Sequence, residues 1–315
     1  MKNFVWLLAL IMSLSACQHQ TLAYITNQGD HTVSVIDTRQ QKIMHTIAVG
    51  KAPVGIAVSK KLQRVYVTNV EGASISVIDS TQQKVIQTIP VKGSPVGITL
   101  SPDNQTLYVA DWYSDRILAI STSNVNSQRA VIAGKAPAGL VVSPDNQTLY
   151  VAARDSNQVV AIDTSSLSIQ KRIDVGKHPF GIALSHDGKQ LFSVNVYDNT
   201  VSVVELTNTD QPPYTIKVGE HPYCVIANPE NTQLYVTNTQ DDSVSVIDLA
   251  TRKVITTMNV GMTPEGLSLD TENNLLLVAN WGTNSVSVID VAQKKVISTI
   301  KTGDKSRAFG QFILQ

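Results

Sequence analysis

The stretch YVTNVEGASISVID (residues 66–79) recurs along the chain as YVTNTQDDSVSVID (235–248), LVANWGTNSVSVID (277–290) and YITNQGDHTVSVID (24–37). Aligned on their first residue, the copies begin at Tyr24, Tyr66, Tyr108, Tyr150, Phe192, Tyr235 and Leu277, spaced by 42, 42, 42, 42, 43 and 42 residues. A second landmark keeps the same beat: Pro53, Pro95, Pro137, Pro179, Pro222 and Pro264, each followed two positions later by Gly except after Pro222, where Cys224 stands. A period in the low forties with four strand-like runs per unit predicts the blades of a propeller.

Each unit reads P-x-G-I-x-x-S (strand a), x-L-Y-V-T-N (b), S-V-S-V-I-D (c) and K-V-I-x-T-I-x-V-G (d). Runs of Val, Ile, Thr and Tyr bounded by Gly, Pro, Asn and Asp are what short strands require. SPDNQTLY occurs twice unchanged, at 101–108 and 143–150, and supplies turn chemistry between a and b. Alternating Ser and Val in strand c makes one face small, as stacked sheets require. Lys42, Lys84, Lys253 and Lys294 are assigned to strand d, an outer edge where charge discourages pairing with other chains. The first copy begins at strand b, and AFGQFIL (308–314) reads as an eighth strand a with no b to follow. Placing that segment beside Leu22–Asn27 closes the ring. The expectation is all-β: a seven-bladed propeller of four-stranded antiparallel blades over residues 22–315, its C-terminal strand completing the N-terminal blade.

Composition agrees. Of 315 residues, 43% are apolar and only 16% charged, enough for a large core and too apolar for disorder. The net charge is zero, so the basic excess that nucleic-acid binders use on phosphates is lacking, and a nucleic-acid partner is not expected. After Met1-Lys2-Asn3, FVWLLALIMSL (4–14) fits the apolar part of a signal peptide and falls short of a bilayer span.

The junction LSAC (Leu14–Cys17) resembles the lipobox of bacterial lipoproteins. That resemblance implies a signal peptide over 1–16, a lipidated Cys17 and a tether over 17–21. The alternative is a plain secretion signal with a chance Cys. Gln18 after the Cys favours the outer membrane, facing the periplasm, in enteric-type sorting. A lipidated Cys17 leaves Cys224 without a disulfide partner.

The repeat itself resembles the YVTN family of β-propellers over about residues 22–314. The likeness implies the fold and little of the function. Some related seven-bladed propellers are lactonases, and others are haem-binding domains of periplasmic reductases.

Differences among copies point to one face of the disc, where the d–a and b–c connections lie. The b–c loops offer Trp112-Tyr113, Arg154-Asp155, Tyr197-Asp198 and Trp281; the d–a loops offer His178 and His221; strand a then begins with Phe180 and Tyr223. Aromatic and polar residues converging at a channel mouth make a candidate binding surface, against the alternative that loops vary because nothing constrains them. Cys224, with His221 and His178, is a weak candidate for a soft metal, against a small buried residue filling a gap. No metal, catalytic group or cofactor is assigned, because the local spacings of zinc, haem, P-loop and hydrolase motifs are absent. Glu265 reads as a solvated loop acid.

Two functions follow. The first is a lipid-anchored, monomeric, non-enzymatic platform that binds an envelope protein or small ligand through its aromatic face. The alternative is a lactonase-like hydrolase at the same mouth, with His178, His221, Arg154 and Glu265 in acid–base or oxyanion roles.

Overall fold

The computed structural model describes residues 20–208 and 211–315. Cys17 and the signal peptide expected over 1–16 lie outside the described residues. Among the described residues the chain forms seven four-stranded antiparallel sheets, each in the order a-b-c-d from the axis outward. The second blade is typical: Pro53–Ser59, Arg64–Asn69, Ser74–Asp79 and Lys84–Pro90. Strands b and c are buried almost throughout, while strand d of each blade is mostly exposed. Strand d of the last blade begins at Lys295, so Lys294 belongs to the turn before it. Among these residues no helix is long and apolar enough to cross a membrane.

The core lies between blades. The first residue of each YVTN copy turns toward the neighbouring sheet, and Tyr24, Phe192, Tyr235 and Leu277 are almost wholly buried. The Asn that ends the motif has a separate task. Asn69 Nδ2 donates to Ser74 Oγ at 3.1 Å and Ser76 Oγ at 3.0 Å, tying the end of strand b to strand c. Asn27, Asn195, Asn238 and Asn280 do the same with their own pairs of hydroxyls. The Ser residues of S-V-S are therefore acceptors as well as small residues. Gly50 explains the V-G that precedes strand a: a Cβ there would lie 2.5 Å from the Asn69 amide carbon.

The ring closes as expected, in a different register. Only Ile313–Leu314 forms a regular strand, pairing with Ala23 and Leu22. Ser306 pairs with Asn27 as Pro53 pairs with Asn69, so Ser306-Arg307-Ala308 occupies the P-x-G place, and Ala308-Phe309-Gly310 does not. Counting from the V-G landmark gives the same answer, since Gly303 precedes Ser306 by the spacing of Gly50 and Pro53. Five residues (307–311) then span what three (54–56) span in the second blade, because Phe312 accepts from Tyr24 N where Ala57 faces Tyr66. The two extra residues bulge the chain toward the axis. Phe309 bonds across to the next blade through Phe309 N to Val54 O (3.1 Å) and Ile56 N to Phe309 O (3.0 Å). Gly310 turns the chain back at φ +124°, where a Cβ would lie 2.3 Å from Ile56 O.

The aspartates that end strand c hold the c–d turns. Asp79 Oδ1 accepts from Thr81 N at 2.9 Å and Gln82 N at 3.0 Å, and Asp163 Oδ1 accepts from Ser165 N and Ser166 N at 3.1 and 2.8 Å. Hydrogen bonds from the Thr81 hydroxyl and the Gln82 backbone pull Asp79 down to about 2, and Ser165 and Ser166 do the same for Asp163. A carboxyl lowered on folding stabilises the fold above its unfolded value and ceases to do so as pH falls through its folded value. Thermal stability should therefore fall between pH 3.8 and about 2. Asp79→Asn with Asp163→Asn should flatten that part of a Tm-against-pH curve; an unchanged slope would contradict it.

Candidate functional site

The face of the disc with the d–a and b–c connections carries a cup of about 450 Å3 at the mouth of the central channel. It is built in two tiers by register. The inner tier is the x of P-x-G, which circles the axis as Arg307, Val54, Val96, Ala138, Phe180, Tyr223 and Glu265. The outer tier is the residue after strand b: Gln28, Val70, Trp112, Arg154, Val196, Thr239 and Trp281. All but Ala138 and Trp281 line the cup, with Tyr113, Tyr197, His221 and Thr263 above them. One sector is small and apolar at Val54, Val70 and Val96. The aromatic and charged side chains gather in the remainder, with Gln28, Val196, Thr239 and Thr263 between them.

Phe309 stands beneath the cup. Its ring centroid is 5.0 Å from that of Phe180 and 5.8 Å from that of Tyr223. Below it a second cavity, also about 450 Å3, opens toward the a–b turns and is lined by Cys224, Leu267 and Gly310. The bulge in the closing strand thus gives the cup a base.

Arg307 organises one wall. Its Nε donates to Glu265 Oε2; Nη2 donates to Glu265 Oε1 at 3.1 Å and to the Tyr223 hydroxyl at 2.9 Å; Nη1 donates to Gln28 Oε1 at 3.2 Å. Glu265 is only 6% exposed, which corrects its reading as a solvated loop acid. Burial pushes its carboxyl up, and the two Arg307 hydrogen bonds oppose that shift. Burial likewise pushes the Tyr223 hydroxyl up, keeping it a neutral acceptor for Arg307. Trp281 reinforces the wall from behind, its Nε1 donating to Gln28 Oε1 at 3.4 Å, and Lys305 Nζ lies 5.5 Å from its ring centroid. The expected contact residue is thus a support beside the cup.

The opposite wall is a stack. Arg154 lies 5.5 Å from the Trp112 ring and 5.9 Å from the Tyr197 ring, and its Nη1 donates to Asp155 Oδ1 at 2.5 Å. Trp112 packs on Phe180 at 5.8 Å. Tyr197 packs on His178 at 4.1 Å and on His221 at 5.7 Å. Burial and the Arg154 charge hold His178 below the usual imidazole range despite Asp155, so it is neutral at pH 7. His178 lies behind Tyr197, outside the lining. Tyr113 and Tyr197 form the exposed rim, at 81% and 54%.

Sequence reasoning thus located Trp112, Tyr113, Arg154, Phe180, Tyr197, His221 and Tyr223 around one opening. It missed Arg307, which takes the inner-tier place only once Ser306 is paired with Asn27, and it missed Gln28 and Phe309, which carry no signal of their own in the repeat. Cys224 is buried, and burial pushes its thiol up, so it remains protonated at neutral pH. Among the described residues no group of three or more His, Cys, Asp or Glu gathers closely enough to hold a metal. Of the four residues considered for acid–base work, Glu265 is committed to Arg307 and His178 to its stack.

A family model described as YNCE-like β-propeller matches residues 6–314. The chain belongs to that family. None of the curated proteins compared with it matches significantly. Similar solved structures include hydrazine synthase of Kuenenia stuttgartiensis, at 23% identity and TM-score 0.77 over 84% of this chain and 91% of that one. A functionally unknown protein from Desulfotomaculum acetoxidans aligns at 15% identity and TM-score 0.78, over 92% and 99%. A dihydro-heme d1 dehydrogenase aligns at 14% and 0.67, over 89% of this chain and 63% of that one. At such identities the YNCE-like chain shares a fold with them, and its site must be read from its own residues.

Arg307→Met strands the Glu265 carboxylate in a buried wall and should cost about 3–5 kcal/mol. The double variant Arg307→Met/Glu265→Leu removes both charges and should recover most of that loss. Urea unfolding of the wild type and both variants measures this. A single variant as stable as the wild type would show that the pair contributes nothing.

Proposed function

We propose that this propeller is a non-enzymatic binding protein whose channel-mouth cup receives a small ligand. The observation that carries the reading is the cup itself: aromatic walls, a base made by Phe309, and a charged wall locked by Arg307 before any ligand arrives. Its volume is in the range of small-molecule sites, roughly 300–1,000 Å3. Side chains already held by their neighbours lose little freedom on binding, so more of the contact energy remains as affinity. A concave mouth favours a ligand over a flat protein surface as occupant.

Saturation-transfer NMR with a set of aromatic fragments tests this. Val70→Trp fills the small apolar sector from the outer tier and leaves the Arg307 network alone. It should weaken every cup-bound fragment by about tenfold or more, roughly 1.4 kcal/mol, without lowering Tm. Fragment binding indifferent to Val70→Trp would sink the reading.

The proposal includes an address: lipidation at Cys17, with the propeller on the periplasmic side of the outer membrane. Strand Leu22–Asn27 starts at the a–b turn face and ends at the cup face, so Gln20 lies on the side away from the cup. A disc tethered there would turn its cup away from the lipid. Cys17→Ser should move the protein from the membrane to the soluble envelope fraction; unchanged membrane association would refute the anchor.

A further inference from the structure

The cup has two arginines with different commitments. Arg307 gives three of its nitrogens to Glu265, Tyr223 and Gln28, all in the wall. Arg154 donates from Nη1 to Asp155, and among the described residues its Nε and Nη2 have no hydrogen-bond partner. Its guanidinium carbon lies over the Trp112 and Tyr197 rings, 5.5 and 5.9 Å from their centroids, within cation–π range. A cation–π contact spends none of the N–H groups, so Nε and Nη2, adjacent on one edge of the fork, remain for a planar two-oxygen acceptor.

The charge of the lining points the same way. It contains Arg154 and Arg307 against Glu265, two positive groups and one negative, leaving an excess of one positive charge among its Arg and Glu side chains. Asp155 tempers this from the rim, where its side chain is 42% exposed and outside the lining. Around Arg154 the lining is aromatic: Trp112 and Tyr197 within cation–π distance of it, with Phe180 packed on Trp112. Such walls accept a flat, apolar body.

Resting on the cup as the binding site, we propose that Arg154 anchors the carboxylate of a small ligand whose aromatic or conjugated body lies in the cup against Trp112, Phe180 and Tyr197. The carboxylate takes the free edge of the guanidinium, and the body fills the space above Phe309. Arg307 keeps to its wall and does not exchange Glu265 for the ligand.

Calorimetric titration of the protein with naphthoate, and with naphthamide of the same shape and no charge, tests the proposal. Naphthoate should bind about tenfold or more tightly than naphthamide, the scale of one charge-assisted hydrogen bond. Arg154→Met should erase that preference, so that naphthoate and naphthamide bind the variant equally, and Arg154→Lys, which keeps the charge without the fork, should retain part of it. Arg154→Lys also serves if the Met variant is poorly folded. Equal binding of both probes by the wild type, removed by Val70→Trp, would overturn the carboxylate anchor and leave the cup standing as a site. A preference for naphthoate that survives Arg154→Met would overturn the role of Arg154. Binding of neither probe would overturn both.

Discussion

A buried asparagine amide sets the geometry on which the cup depends. In five blades the Asn at the end of strand b spends both N–H groups of its amide on two hydroxyls of strand c. Each hydrogen bond contributes on the order of 1 kcal/mol net, and losing one inside the core costs more than that. The amide also fills the space beside the Gly of the d–a loop, so loop and strand end are fixed against each other. In three blades that Gly N–H reaches the second Ser of S-V-S, as Gly50 N does to Ser76 Oγ at 3.3 Å. In the five locked blades the outer-tier residue directly follows the Asn and the inner-tier residue stands four positions after the Gly, so the lock fixes the strand ends from which both tiers project.

The two blades without the lock are informative. Asp111 replaces Asn in the third and pairs with Arg116, which stands in the place of a Ser; Ala153 and Gln158 take those places in the fourth. In these two blades the turn after strand b becomes a short 3-10 turn, Trp112–Ser114 and Arg154–Ser156. Those turns carry the Trp and Arg that stack in the cup wall. The repeat is thus relaxed where the site is most individual, and five intact locks remain to hold the ring. Local departures from a consistent pattern mark function more often than they mark disorder.

Period, blade number and ring closure could be read from the sequence because they are properties of a repeated backbone. The outliers Trp112, Arg154, Tyr197 and Tyr223 could be read because six other copies show what the fold alone requires at each position. The partner of Glu265 could not be read the same way. Arg307 is its neighbour around the ring, but only once the closing strand is in register, and the Ala308-Phe309-Gly310 that imitates P-x-G shifts the alignment by two residues. With Arg307 misplaced, an acid at an inner-tier position has no visible counter-charge and looks solvated. Trp281 shows a different limit of such reading. It departs from the repeat as clearly as Trp112 does, yet its indole turns behind the wall to Gln28. Being unusual identifies a position; direction has to come from the structure.

The closing segment serves fold and site together. Within nine residues it supplies Ser306 to pair with Asn27, Arg307 to lock the wall, Phe309 to close the channel and Leu314 to pair with Leu22. An opened ring would lose the Arg307 network and the base of the cup along with its last pairing. A ligand that needs the complete cup therefore binds the closed ring and not the opened one, and by mass action it must stabilise closure. In this propeller, occupancy of the cup and integrity of the ring are thermodynamically linked through a single strand.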